Sequence, residues 1–247
     1  MQKQSTMPMS DIHSHVLFGI DDGSRDLQMS LHLLRLAEKE GIRDLVCTSH
    51  SYGRLENYEK KFYALQSSAQ NAGIQIHLYQ GCEILCDAWG INETIDDLNR
   101  HYYPTINHTP YALIEFYPDI SSSDILYCAR KLCAETDSKF ILAHVERYRN
   151  LEGSWSTIDQ LQNMGCLLQL NAYSLVEEKR KATKGFARQL LKEKRISFLG
   201  SDCHRPEHRP PIVQSGLRYI HETCEPSYAK SICFENARKL LFDRSLV

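Results

Sequence analysis

Residues 10–50, SDIHSHVLFGIDDGSRDLQMSLHLLRLAEKEGIRDLVCTSH, carry the pattern that decides the fold: a short β-rich run, a helical run, and a second β-rich run. In the middle piece Leu27, Leu31, Leu34 and Ala37 recur at helical spacing, with Ser24 placed to cap the start and Gly41 to stop the end. Both flanking runs finish on imidazole, His13 and His15 in the first and His50 in the second. An extended strand alternates its side chains, so His13 and His15 point one way while Ile12 and Ser14 point the other. Two imidazoles on one face can chelate a cation, and they can equally be polar residues of an edge strand. The rest of the chain decides between these readings.

The alternation continues outward from that unit. Strand-like runs recur at residues 74–84, 111–116, 139–146, 166–173 and 196–204. Helical patterns fill residues 57–73, 123–136, 156–164 and 185–193, and residues 212–223 and 227–242 close the chain as a helical tail. Repeated strand–helix–strand units build a parallel sheet. In 247 residues without a Gly/Ser linker, low-complexity segment or internal repeat, this predicts one α/β domain. The length suits a barrel whose active site forms at the C-terminal strand ends. An open doubly wound sheet is the alternative, but its Gly-rich phosphate fingerprint is missing, and DDG at residues 21–23 is only a turn signal.

Composition removes several classes of function. A net charge of -2, with 42% hydrophobic and 24% charged residues, is that of an ordinary globular protein and argues against nucleic-acid binding through a basic surface. The opening MQKQSTMPMS is polar, and no run approaches the roughly 20 apolar residues of a membrane helix, so a cytoplasmic protein not integral to a membrane is expected. Nine cysteines, an odd number without CxxC pairs, suggest buried thiols in a reducing compartment.

The strand ends carry the chemistry. The successive runs finish in His13 and His15, His50, Glu83, Glu115, His144, and Asp202 with His204, while almost none carries such a residue in its apolar body. Each alone has an ordinary explanation: a polar residue at a strand end, or for Glu83 a salt bridge. Glu115 is harder to explain so, because a carboxylate between Ile114 and Phe116 needs a partner. Imidazoles and carboxylates at the same end of successive strands point to a metal cluster, because buried charge there is costly unless paired or metal-bound. A set of nitrogen and oxygen ligands without thiolate favours Mn, Fe or Zn.

In this order, DIHSH, DDG, TSH, GCEI, ALIEF, AHVERY, SDCH and RPP resemble the PHP (polymerase and histidinol phosphatase) superfamily. The likeness is closer still to the manganese-dependent protein-tyrosine phosphatases of bacterial capsule and exopolysaccharide loci. It runs from Ser10 to about Phe242, which makes residues 1–9 an N-terminal extension and residues 10–247 the phosphatase domain. The resemblance implies a distorted (β/α)7 TIM-like barrel with three metal ions, manganese first and iron, zinc or magnesium as alternatives. It implies that His13, His15, Glu83 and Asp202 hold one ion, with Glu83 bridging to a second that Glu115 and His144 complete. Asp22, His50 and His204 would hold the third, with Asp21 able to serve for Asp22. Arg147 and Arg209 match the positions with which the family grips phosphate. The implied reaction is hydrolysis of phosphotyrosine on a protein, the tail of a bacterial tyrosine kinase that controls capsule or exopolysaccharide synthesis, by attack of a metal-bridging hydroxide. A homo-oligomer is a further expectation from the same relatives.

Tyr52, Phe116, Tyr117, Tyr148 and Tyr173 follow or flank the ligand positions, where they can wall a phenyl ring or pack in the core. Other readings compete with the phosphatase. Cys203 and Arg209 have the Cys-x5-Arg spacing of thiol-dependent phosphatases, but no glycine lies between them, Glu207 would repel phosphate, and Pro210 and Pro211 offer no amide donor. Amidohydrolases also open on His-Xaa-His but often bridge their metals with lysine, and no lysine ends a strand here. Histidinol phosphatase is the alternative within the superfamily. A non-enzymatic metal-binding module is opposed by the full set of ligands and both arginines.

Overall fold

A parallel strand needs a crossover before its neighbour, and this chain supplies one after each strand. The computed structural model describes residues 7–53 and 55–242. Its order begins β1 (Met9–Ser14), α1 (Leu27–Lys39), β2 (Ile42–His50), α2 (Tyr58–Asn71), β3 (His77–Leu85), α3 (Ile91–Asn99) and β4 (Tyr111–Glu115). It continues α4 (Ser122–Glu135), β5 (Lys139–Leu142), α5 (Trp155–Asn163), β6 (Leu167–Asn171), α6 (Lys181–Lys192) and β7 (Phe198–Gly200). Then come α7 (Gln214–Thr223) and α8 (Pro226–Lys230), which a π-helical turn at Ser231–Glu235 joins to α9 (Asn236–Leu241). Residues 1–6 of the expected extension and 243–247 of the expected domain lie outside the described residues.

Each strand pairs in parallel with the next in sequence order. At the seam between β7 and β1, the His15 N–H donates to the Cys203 carbonyl and the Asp202 N–H to the His13 carbonyl, both at 2.8 Å. The seven strands therefore form a nearly closed α/β barrel with helices outside it, the TIM-like architecture expected. No described helix is long and apolar enough to cross a membrane.

The barrel is filled rather than hollow. Ile12, Val46, Leu113, Ile141 and Phe198 form one buried cluster with Ala237, Leu240 and Leu241 of α9, which closes the lower end. Leu45, Ile114, Leu142, Leu168 and Leu199, on the opposite strand faces, pack with the helices. Burial of each such side chain stabilises by about 1.5–3 kcal/mol, so the apolar floor can support a polar upper layer. In β1 the register against β2 shifts between Asp11 and Ser14, a bulge rather than the regular alternation expected. Asp11 Oδ1 holds that bulge by accepting the N–H groups of His13 and Ser201. Ile12, expected on the face opposite the histidines, belongs to the interior cluster.

Several element boundaries differ from expectation, those of α1 and of the fifth and seventh strands for local reasons. α1 is capped by Asp26, whose carboxylate accepts the Met29 N–H, whereas Ser24 is buried and donates to the Asp26 carbonyl. Gly41 does stop the helix, at φ +83. The fifth and seventh strands are shorter than expected because His144 and Asp202 turn the chain left-handed, at φ +32 and +52. α3, which was not expected, buries Ile91, Ile95 and Leu98 along one stripe.

Candidate metal centre

All of the expected ligands meet at the C-terminal end of the barrel. From β1, the Nε2 atoms of His13 and His15 face each other at 3.3 Å. Glu83, at the upper end of β3, lies between the imidazoles. Its Oε1 is 3.1 Å from His13 Nε2 and 2.8 Å from His144 Nε2, and its Oε2 is 3.1 Å from both His15 Nε2 and His50 Nδ1. Glu115 Oε1, from the end of β4, is 2.7 Å from His50 Nδ1. Asp202 Oδ1, just past β7, is 3.6 Å from His13 Nε2 and 3.4 Å from His15 Nε2.

These side chains form four overlapping groups whose ligand atoms lie within 4.8 Å of one another: His15, Asp22, His50 and His204; His13, Glu83 and His144; His13, His15 and Asp202; and His50, Glu83 and Glu115. The grouping is not the partition expected, since His13, His15 and His50 each serve two groups. His50 does so through opposite ring nitrogens, Nδ1 toward Glu83 and Glu115 and Nε2 toward Asp22.

The neighbouring aspartates at 21 and 22 separate by environment. Asp21 Oδ2 is 2.8 Å from His15 Nδ1 and accepts the His50 N–H, while its Oδ1 accepts the Gly23 N–H, so it orients ligands from behind. Asp22 Oδ1 faces inward, 3.6 Å from His50 Nε2 and 3.5 Å from His204 Nε2.

Charge is tightly balanced in this cluster. Burial alone would raise the Glu83 carboxyl, but His13, His144 and His15 outweigh it and hold it well below the usual carboxylate range. Asp202 is likewise opposed by burial, and the Arg147 guanidinium and His13 hold it low. Burial and the nearby charge of His15 push His204 down to about 4, leaving it neutral and able to donate a lone pair. His50 Nδ1 and His204 Nε2 are buried without a hydrogen-bond partner, although carboxylate oxygens stand 2.7 Å and 3.5 Å away. Imidazole nitrogens aimed at one another and at carboxylates fit divalent cations with nitrogen and oxygen ligands.

Arg147 and Arg209 border the cluster on one side. Arg147 pairs with Asp202 Oδ2, and Arg209 Nη1 donates to both oxygens of the same carboxylate, at 3.1 and 3.3 Å. Each guanidinium has five N–H donors, so most remain for another anion. Three residues of this constellation, His144, Asp202 and Arg209, have positive φ, where side chains are re-aimed at a backbone cost of order 1–3 kcal/mol each.

The aromatic candidates divide cleanly. Phe116 and Tyr148 are core, with the Phe116 N–H donating to Tyr148 Oη. Tyr52, Tyr117 and Tyr173 are exposed, and the Tyr52 ring stacks on His50 at 4.5 Å and 18°. Cys203 is fully buried, and burial pushes its thiol up to about 12, which removes it as a thiolate nucleophile. Sequence reasoning missed Asp11, Asp21 as an orienting group, Gln169, Asn171 and Glu146, all buried around the ligands. A neutral amide inside an apolar strand run, as in LLQLN, is the signal that was available.

Residues 9–242 match the family model described as capsular polysaccharide synthesis, CpsB/CapC. The tyrosine-protein phosphatase CpsB of Streptococcus agalactiae serotype III (strain NEM316) is 31% identical over 243 residues, covering 94% of this chain and 98% of that protein. The tyrosine-protein phosphatase YwqE of Bacillus subtilis (strain 168) is 29% identical over 248 residues, covering 96% and 93%. A crystal structure from work on YwqE of Bacillus subtilis and CpsB of Streptococcus pneumoniae, described as unique metal-dependent tyrosine phosphatases, superposes with a TM-score of 0.86. It is 27% identical and covers 97% of this chain and 96% of that one.

Proposed function

The chain belongs to the CpsB/CapC family of capsular polysaccharide synthesis, and on that premise we propose that it is a metal-dependent protein-tyrosine phosphatase. The observation that carries this reading is the convergence of His13, His15, Asp22, His50, Glu83, Glu115, His144, Asp202 and His204 at one barrel mouth. We assign these residues to manganese, as three ions, with the donor set also compatible with iron or zinc. Bound there, the ions would supply Lewis-acid charge and lower the pKa of water from about 15.7 toward about 7.

The chain's own groups do the rest. Arg147 and Arg209 present planar, permanently charged forks that bind and orient the non-bridging phosphate oxygens. Asp202 holds both forks on one side of the cluster. Tyr52, stacked on His50, offers a face to the substrate's ring. A tyrosine phenol has a pKa near 10, so phenolate leaves with little protonation and the site needs no strong general acid.

The substrate is a phosphotyrosine protein, for which we propose the tail of a bacterial tyrosine kinase in a cytoplasmic setting, met by residues 10–247 acting as one domain. A homo-oligomer and independence from nucleic acid complete the proposal. The test compares a phosphotyrosyl peptide, a phosphoseryl peptide and histidinol phosphate as substrates, before and after EDTA and after added Mn2+. The phosphotyrosyl peptide should turn over fastest, stop with EDTA and recover with Mn2+. Faster turnover of histidinol phosphate would replace this reading with the histidinol-phosphatase one.

A further inference from the structure

β6 supplies none of the expected ligands, yet two of its buried amides reach ligands from three other parts of the barrel. Gln169 Oε1 lies 3.0 Å from His13 Nδ1 and accepts the backbone N–H of His144 at 2.7 Å. Gln169 Nε2 donates to Asn171 Oδ1 at 2.9 Å, and Asn171 Nδ2 donates to Asp202 Oδ2 at 3.1 Å. The direction of this chain is determined at both ends. A backbone N–H can only donate, so the Gln169 atom facing His144 is the oxygen; an ionised carboxylate can only accept, so the Asn171 atom facing Asp202 is the nitrogen. The two requirements agree across the bond between Gln169 and Asn171.

One consequence falls on His13. Its Nδ1 faces an oxygen and so carries the ring proton, which leaves the Nε2 lone pair aimed at Glu83 and Asp202. Gly200, opposite Asn171 in the β6–β7 ladder, leaves the space this needs. A Cβ at that position would stand 2.6 Å from Gln169 Nε2 and 2.7 Å from His13 Cβ.

We propose that Gln169 and Asn171 are positioning residues of the metal centre: the pair sets His13 as an Nε2 ligand and ties His144 and Asp202 to the same amide chain. The inference rests on the metal-centre reading given above. His15 has a carboxylate, Asp21, behind its Nδ1. At His13 a neutral amide does the same work without placing another negative charge next to Glu83 and Asp202. An amide also donates onward, which a carboxylate cannot.

The test is Mn2+ binding by calorimetry on the full chain after chelator stripping, together with thermal unfolding of the stripped protein and the Mn2+ EPR spectrum of the loaded one. Gln169→Leu should bind Mn2+ about 10–100-fold more weakly and alter the EPR spectrum, while the stripped protein, destabilised by the unpaired His144 N–H, still unfolds in one cooperative step. Gln169→Glu keeps the accepting oxygen and should fall between the Leu variant and wild type. Wild-type protein that binds no Mn2+ overturns the metal-centre reading itself. Wild-type affinity in Gln169→Leu, with wild-type protein binding normally, overturns this inference alone. Should the Leu variant fail to fold, imidazole 15N NMR of the Zn2+-loaded wild-type chain decides: a His13 proton on Nδ1, protected from exchange, is expected, and one on Nε2 overturns the proposal.

Discussion

At the scale of single residues, the groups proposed to hold cations are distinct from those proposed to hold phosphate. His144→Ala should lose bound metal and activity together, measured by elemental analysis and turnover on the same sample. Arg209→Ala should keep its metal and lose about 1.5–3 kcal/mol of phosphate capture, the worth of a charge-assisted hydrogen bond, read as a fall in kcat/KM. Cys203→Ser should leave turnover nearly unchanged, because the buried thiol is not a nucleophile; complete loss with metal intact would revive the thiol route. Tyr52→Ala should lower kcat/KM for a phosphotyrosyl peptide more than for an alkyl phosphate, by about 0.5–1.5 kcal/mol of ring pairing. Equal losses on the two substrates would show that Tyr52 does not read the ring. The proposed ligand residues were legible because imidazole and carboxylate are conspicuous at the ends of apolar runs. Gln169 and Asn171 were passed over: an amide inside an apolar strand run signals a buried polar group but not what it faces. The choice between Asp21 and Asp22 could not be made from spacing, because adjacent residues share it and only their hydrogen bonds distinguish them.

At the scale of elements, two glycines inside helices make opposite predictions. In α7 a Cβ at Gly216 would lie 2.1 Å from the Ala172 carbonyl oxygen, so the helix reaches the segment after β6 only because no side chain intervenes. Gly216→Ala should cost about 1–3 kcal/mol from overpacking, seen in the denaturation midpoint. In α6 a Cβ at Gly185 would meet nothing within 4 Å, so Gly185→Ala should stabilise by about 0.5–1 kcal/mol. β2 was legible to its last residue because its β-rich run and its helical neighbours are both unambiguous. The fifth and seventh strands were read too long because nothing in ILAHVE or LGSDCH announces that His144 and Asp202 will adopt positive φ. Those turns take the ligands off the regular ladder and lean them over the barrel mouth. α3 carries a legible apolar stripe, but it spans only nine residues, three of them acidic, and is easily read as a loop.

At the scale of the whole molecule, the barrel brings residues from 13 to 204 onto one rim, so a cation bound there would tie the first strand to the last. Ligand that binds only the folded chain stabilises by RT ln(1 + [L]/Kd), about 2.7 kcal/mol at a hundredfold excess over Kd. For a chain this size that is a rise of roughly 5–11 °C in Tm on adding Mn2+ to stripped protein. The α/β order was legible from the repeated strand and helix patterns; the length suited a barrel, and the family resemblance implied its seven units. The seam between β7 and β1 was not legible, because it is made by backbone bonds beyond the end of β7. The most direct measurement is anomalous diffraction at the manganese edge from a crystal of the Mn2+-loaded chain. Three peaks ringed by His13, His15, Asp22, His50, Glu83, Glu115, His144, Asp202 and His204 are predicted; peaks elsewhere, or no peak among these residues, would contradict the account.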